Sequence, residues 1–417
     1  MRLREKKSYG WLVLSAFTLN YGSVVIVFMT LGLLLPDISE ELSLSPSQQG
    51  WLASSLLFGN LLFELPLNWW LSRYRPWRVS SVAFLVSALM VALQGWSPTF
   101  AVLLAARVGL GLFYLSSQPP RTLLILQWMP KKQIPLANGV LFSLLAVVEG
   151  LGFIVIPLIL LWLGDWRSTL YFWAGVSLVL SIMWVFIGGD RSSPEYIERM
   201  RSQVKTPLSS LFRYKEPWIM GLGLAGTMSG RLAFDTFWPT FTGNEYGTAV
   251  TVAGLIIAVV SIAGAPAMLL STFLPFFANR TPLMLTVCGL GLTASYLGIL
   301  FTGSLPLLFL LAIANGLSFG FFPLMLASLY DLPGIKPREV AVAVALVYTL
   351  MWAGATTGPL VAGFIQEATG NLQLALFITS LGPLALTGAG LTLLKTKRRL
   401  AETRLSTAHW NQDAVER

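Results

Sequence analysis

The chain has 417 residues, 55% hydrophobic and only 11% charged, with a net charge of +9 and a mean hydropathy of +0.70. Soluble domains carry about 25% charged residues, so this composition excludes a water-soluble globular protein and makes a bilayer the natural solvent. The single cysteine, Cys288, excludes an internal disulfide, and the single histidine, His409 in the polar C-terminal tail, excludes a histidine metal site or proton relay in the membrane core.

The N-terminus reads MRLREKKSYG and then stays apolar to about Pro36 with no convincing cleavage site. It reads as a retained first membrane helix, not a signal peptide. A spanning helix needs about 20 mainly apolar residues. That rule predicts spans over 9–35, 50–71, 79–97, 100–127, 137–163, 168–188, 217–240, 249–274, 283–302, 306–330, 340–363 and 372–394. Backbone groups in lipid must bond within their own segment, and no strand-like alternation is present, so the spans are helices. The predicted fold is an all-α polytopic membrane protein with twelve transmembrane helices in two pseudo-symmetric six-helix bundles. The polar stretch GGDRSSPEYIERMRSQVKTPLSSLFRYKEP divides the chain into a first bundle (1–188), a cytoplasmic central loop (189–216), a second bundle (217–394) and a cytoplasmic tail (395–417).

A charge at mid-bilayer costs about 2.5–3.5 kcal/mol on insertion scales, so each buried charge is a candidate functional group. Span one offers Asn20 and Tyr21, and span two offers Glu64 just before Pro66. In span four, Arg107, Gly111, Tyr114, Gln118 and Arg121 advance by four, three, four and three residues, which places them on one helical stripe. This stripe is expected to face a wet central cavity, with Arg107, Tyr114, Gln118 and Arg121 as substrate contacts. An ion pair between Glu64 and Arg121, at similar depth, is the alternative role for both. Pro119 and Pro120 remove two backbone donors, so a kink is expected there. Glu149 in span five has no sequence-local partner and is the first choice for a protonatable group. In span seven Arg231 and Asp235 are four apart on one face. They read as a self-neutralising pair or as a pair that substrate or a proton opens. Trp238, Asn315 in span ten, and Tyr348 and Trp352 in span eleven are further candidate lining residues.

Basic residues fall in the termini and the even-numbered loops, whereas the opposite loops hold Asp37, Glu40, Glu41, Asp165, Glu245 and Glu367 with only Arg167. This positive-inside pattern places both termini in the cytoplasm of a cell (inner) membrane protein. The net charge is thus a topology signal and a contact with anionic lipid, not a nucleic-acid footprint. LLAARVGL at 103–110 matches LLAIANGL at 310–317 in five of eight positions, at corresponding places in the two halves. Repeated halves point to a transporter with its site between them.

On these features the chain resembles the major facilitator superfamily of secondary transporters. Arg107-x-x-x-Gly111 is similar to the family's Arg-to-Gly motif in span four, LQWMPKKQIPLANG to its connection from span four to five, and Gly354-Ala-Thr-Thr-Gly358-Pro359-Leu-Val-Ala-Gly363 to its Gly-Pro-Gly pattern. That pattern belongs to span five in efflux antiporters, and here it lies in span eleven. The loop after span two, Asn68-Trp-Trp-Leu-Ser72-Arg73-Tyr74-Arg75, keeps only an arginine of the family's Gly-x-x-x-Asp-Arg-x-Gly. The resemblance implies gating roles for Arg73 and for Gly358 and Pro359, beside the Pro119–Pro120 kink, and a central path lined by spans one, four, seven and ten. The expected function is secondary active transport of a small, anionic solute by alternating access, with protons as the coupling partner and a monomer as the working unit. Efflux of amphiphilic compounds by proton antiport is the alternative; a membrane enzyme or a transporter-fold sensor ranks below it. No nucleotide-binding motif, clustered nucleophile or metal set is present, so no cofactor and no enzymatic activity are expected.

Overall fold

The computed structural model describes residues 7–71, 74–130, 133–190, 214–273, 280–329, 332, 335 and 337–396. Among these it is helical, with no strands. The helices are α1 (Lys7–Met29), α2 (Leu31–Leu42), α3 (Pro46–Leu71), α4 (Pro76–Trp96), α5 (Phe100–Ser116), α6 (Gln118–Trp128), α7 (Ile134–Leu163) and α8 (Trp166–Ile187). The second half holds α9 (Glu216–Tyr246), α10 (Val250–Phe273), α11 (Thr281–Leu300), α12 (Leu305–Ser318), α13 (Phe321–Ser328), α14 (Pro337–Thr369) and α15 (Leu372–Ser380). A last helix, α16, covers 384–396.

Joined end to end across short breaks, these helices fall on the predicted spans. Ten of the resulting helices among the described residues are long and apolar enough to cross a membrane. The helices α3 and α9 lie outside that set; α9 carries Arg231, Asp235 and Asn244. Four spans are broken mid-course. In span four the break is at Ser117, directly before Gln118-Pro119-Pro120. Two prolines in the first turn of α6 bring no amide donors to bond back to α5, so the ladder is interrupted there.

Turns are set by local chemistry. Gly164 (φ 71°) and Gly247 (φ 62°) end α7 and α9 in the left-handed region. Asp165 caps α8: its carboxylate accepts from the Ser168 amide at 2.9 Å and the Ser168 hydroxyl at 3.0 Å. Burial works against that charge, but these bonds and Arg167 prevail and hold the Asp165 carboxyl below its ordinary range. Nearby Asp37 is pushed up, first by burial and then by Glu40 and Asp165.

Two buried apolar clusters run through the molecule. One draws on residues between Val13 and Trp184, with Leu232 and Ala355; the other on residues between Met220 and Leu393, with Leu33, Leu35 and Phe153. Hydrogen bonds identify the two ends of the bundle. At the end carrying the termini, Tyr9 donates to the Ile187 carbonyl (2.7 Å), Trp128 to that of Gly189 (3.1 Å), and Tyr214 to Glu339 (2.9 Å). At the far end, Arg167 pairs with Glu41 at 2.8 Å.

The two halves of the chain meet closely toward that far end. A Cβ on Gly50 of α3 lies 2.6 Å from the Pro359 carbonyl oxygen of α14, which only glycine permits. Gly32 of α2 faces the backbone of Asp235 and Thr236, and Gly254 of α10 faces the Phe153 carbonyl. Glu367 of α14 closes the seam: its carboxylate accepts from the Ser47 amide (2.8 Å) and the Ser45 hydroxyl (3.1 Å) at the amino end of α3.

Candidate functional site

On the terminal side of this seam lies a cavity of about 220 Å³ between the halves. Span one contributes Tyr21, Val25 and Met29; span four Tyr114, Gln118 and Arg121; span five Phe142, Leu145 and Glu149; spans ten and eleven Phe322, Tyr348, Met351 and Trp352. A polar chain crosses its wall, in which Gln118 Nε2 donates to the Tyr21 hydroxyl (2.6 Å) and Tyr21 donates to the Tyr114 hydroxyl (2.6 Å). The Tyr21 and Tyr114 rings stack with centroids 5.1 Å apart.

Arg121 sits in this cavity, its guanidinium 5.6 Å from the Tyr21 ring centroid and 5.2 Å from that of Phe142. Among the described residues no carboxylate pairs with it. The side chain of Glu64, its expected partner, lies outside the described residues, as does Arg73.

Beside the cavity is an ionic cluster. Arg231 of α9 bonds Glu149 of α7 through Nη2 and Asp235 through Nε at 3.3 Å. The Ser261 hydroxyl of α10 donates to Glu149 at 3.0 Å and accepts from Arg231 at 3.2 Å. The Phe319 ring covers the guanidinium at 4.9 Å. Glu149 therefore faces both the main cavity and a smaller one of about 160 Å³ shared with Arg231, Ser261 and Phe319. Glu149 has no partner near it in sequence: its partners lie 82 and 112 residues away on other helices, and no local pattern reveals them.

The expected stripe divides in two. Tyr114, Gln118 and Arg121 face the cavity, but Arg107 is 1% exposed inside the first bundle. Its Nε donates to the Leu52 carbonyl (2.8 Å) and its Nη1 to Gln94 Oε1 (3.2 Å). Gly111, one turn on, presses against the Leu56 carbonyl of α3. The division falls between Gly111 and Tyr114, within α5 and ahead of the break at Ser117, so it is one of depth along the helix. Arg107 thus leaves the set of cavity groups.

Three other expectations are corrected the same way. Asn20 donates to the carbonyls of Ala16 and Leu180, both at 3.0 Å, and joins α1 to α8. Trp238 is fully buried and stacked on Phe234 at 5.3 Å. Asn315 is fully buried and donates to the Ser295 hydroxyl at 2.8 Å. Gly358, expected in gating, packs on the Ser229 backbone within the second half, and Pro359, expected there too, meets Gly50 across the seam between the halves. Sequence reasoning missed Ser261, Phe142, Phe319 and Phe322. Ser261 is a hydroxyl among mainly apolar residues of α10, a weak signal; the three phenylalanines carry none.

A family model described as Major Facilitator Superfamily matches residues 17–333. The D-galactonate transporter of Escherichia coli O6:H1 is 21% identical, with 89% of this chain and 94% of that one covered. The probable sulfoacetate transporter SauU of Cupriavidus necator is 23% identical, with coverage of 93% and 94%. The probable galactarate/D-glucarate transporter GudP of Escherichia coli K12 is 20% identical over 61% of this chain, which spans only 63% of that protein's length. Among solved structures, a bacterial homologue of the lysosomal transporter Spinster, inward-facing and unoccupied, superposes with a TM-score of 0.70 at 18% identity, covering 93% of this chain and 95% of that one. With its helical halves, its between-halves cavity and a family match over most of its length, the chain belongs to the major facilitator superfamily of membrane transporters.

Proposed function

We propose that this transporter carries a small organic anion, a hydroxylated carboxylate or sulfonate, together with a proton. The observation that carries the reading is the asymmetry of the two cavity arginines. Arg231 is balanced by Glu149 and Asp235, whereas Arg121 has no carboxylate partner among the described residues. A guanidinium held over aromatic rings in a site of low polarity presents a forked donor to a carboxylate or sulfonate. Tyr21, Tyr114 and Gln118 add hydroxyl and amide groups suited to a polyhydroxy chain. Relatives named for galactonate and sulfoacetate support the same class. Amphiphile efflux finds less support, since an arginine with no acidic partner among the described residues, in a cavity of about 220 Å³, favours small anions.

Proton coupling rests on charge arithmetic. Among the described residues Arg121 and Arg231 balance Glu149 and Asp235 in the empty site, so a bound anion leaves one negative charge in excess within the membrane, and a proton can neutralise it. Glu149 belongs to the first half and Arg231 to the second, so their bond breaks when residues 1–188 rock against 217–394 in alternating access. The basic loops support cytoplasmic termini in an inner membrane, and uptake is the direction proposed. The protein works as a monomer in this reading.

The test is uptake by purified protein in liposomes, offered galactonate, galactarate, sulfoacetate and neutral galactose. Acid-outside gradients are expected to accelerate uptake of at least one anion and not of the sugar. Arg121→Gln is expected to abolish it while leaving the protein folded. Saturable galactose uptake, or full anion uptake by the Arg121→Gln variant, overturns the proposal.

A further inference from the structure

A groove of about 590 Å³ lies away from the central cavity, on the flank formed by α3, α4 and α5 at the end carrying the termini. Trp70, Tyr74, Arg75, Arg78, Val82 and Phe113 line it. Through Leu67 and Trp70 it runs into a second groove of about 390 Å³, walled by Phe63, Pro66 and Leu112, all apolar. From Trp70 back to Phe63 the track follows α3 for about 10 Å, at about 1.5 Å per residue. That is a large part of one leaflet of a hydrocarbon core about 30 Å thick.

The groove has a charged mouth and a greasy floor. Arg75 and Arg78 are exposed, and among the described residues neither side chain has an acidic or hydrogen-bonding partner. The nearby acid, Asp190, is engaged elsewhere and accepts from the Trp77 amide at 3.0 Å. Trp70 and Tyr74 stand beside the arginines, with ring centroids 5.5 Å apart and nearly perpendicular. Trp and Tyr favour the headgroup level of a bilayer, and guanidinium groups match phosphate oxygens in charge and geometry. A free phosphate satisfies the mouth but leaves the floor uncovered, and a zwitterionic lipid brings an ammonium to two unpaired cations. We propose that the groove binds one anionic phospholipid, with its phosphate between Arg75 and Arg78 and an acyl chain laid along α3 past Pro66.

The experiment uses the full chain in detergent micelles, depleted of lipid, with phosphatidylglycerol or phosphatidylcholine carrying a brominated chain. Bromine quenches tryptophan emission on contact, and subtraction of a Trp70→Phe variant isolates the groove signal. Phosphatidylglycerol is expected to quench the Trp70 signal at about 30-fold lower concentration than phosphatidylcholine, from about fivefold per arginine. Arg75→Gln with Arg78→Gln removes that preference. Val82→Phe, which keeps both arginines and narrows the groove, weakens quenching by both lipids. Inorganic phosphate at matched ionic strength does not displace the lipid. Equal quenching by the two lipids in the parent protein, or a preference that survives the double glutamine variant, overturns the proposal.

Discussion

Replacing Gly50 by Ala probes whether the far-end seam is a reversible gate. The added Cβ lies 2.6 Å from the Pro359 carbonyl oxygen and 3.3 Å from the Leu360 Cα. Both are backbone neighbours on the other half of the chain, so no side chain can swing aside. Restoring an ordinary contact of 3.4 Å requires α3 and α14 to separate by about 0.8 Å at this crossing. Overpacking of this kind costs about 1–3 kcal/mol. The cost falls only on the state in which the seam is closed. At about 1.4 kcal/mol per tenfold, the equilibrium shifts toward far-end opening by roughly 5- to 150-fold. The same change favours the helix itself, since Ala exceeds Gly in helix propensity by about 1 kcal/mol, so no loss of folded protein accompanies it. Spin labels at Glu40 and Glu245, exposed at the far ends of opposite halves, report the gap by pulsed electron resonance. Gly50→Ala is expected to add or enlarge a long-distance population. An unchanged distance distribution in well-folded variant protein would falsify the view that this contact opens during the cycle.

Three further outcomes separate structural from transport roles. Arg107→Ala leaves the Leu52 carbonyl and Gln94 without their donor and opens a void in the first bundle; a loss of about 2–5 kcal/mol is expected, read as a lower thermal midpoint and poor monodisperse yield, whereas Arg121→Gln leaves the midpoint unchanged. Glu149→Gln keeps the shape of the ionic cluster but removes one of its two carboxylates; anion exchange across a membrane should persist while acceleration by a proton gradient disappears, and intact gradient-driven uptake would count against Glu149 as the coupling group. Asp37→Asn should raise the thermal midpoint at neutral pH, because burial, Glu40 and Asp165 hold the folded-state carboxyl above its ordinary value. The folded protein is penalised while that carboxylate is charged, regains stability as pH falls through the raised value, and equals the variant below the ordinary carboxylate range. A pH-independent difference between the two proteins contradicts this account.

The spans were legible because lipid enforces one rule, that backbone polar groups bond within their own segment. The candidate charges were legible for a related reason: Glu149, Arg231 and Asp235 are costly in the membrane unless they meet, and they do. The face each residue presents was not legible. Arg107 and Arg121 share a stripe by spacing, yet the tight fit of Gly111 on α3 closes the outer part of that stripe into the bundle, while Tyr114, Gln118 and Arg121 deeper along it reach the cavity. Asn20 and Asn315 were misplaced for a second reason. A buried amide satisfied by a carbonyl or hydroxyl of a neighbouring helix looks, in sequence, like one awaiting a ligand. Partners such as Ser261 lie on other helices and are fixed by packing alone.

The seam at Gly32, Gly50 and Gly254 is written in missing side chains, backbone against backbone. None of these three glycines lines the cavity. Substitutions there can retune how long the protein dwells in each orientation without altering what it carries, so turnover and selectivity are free to evolve on separate parts of the molecule.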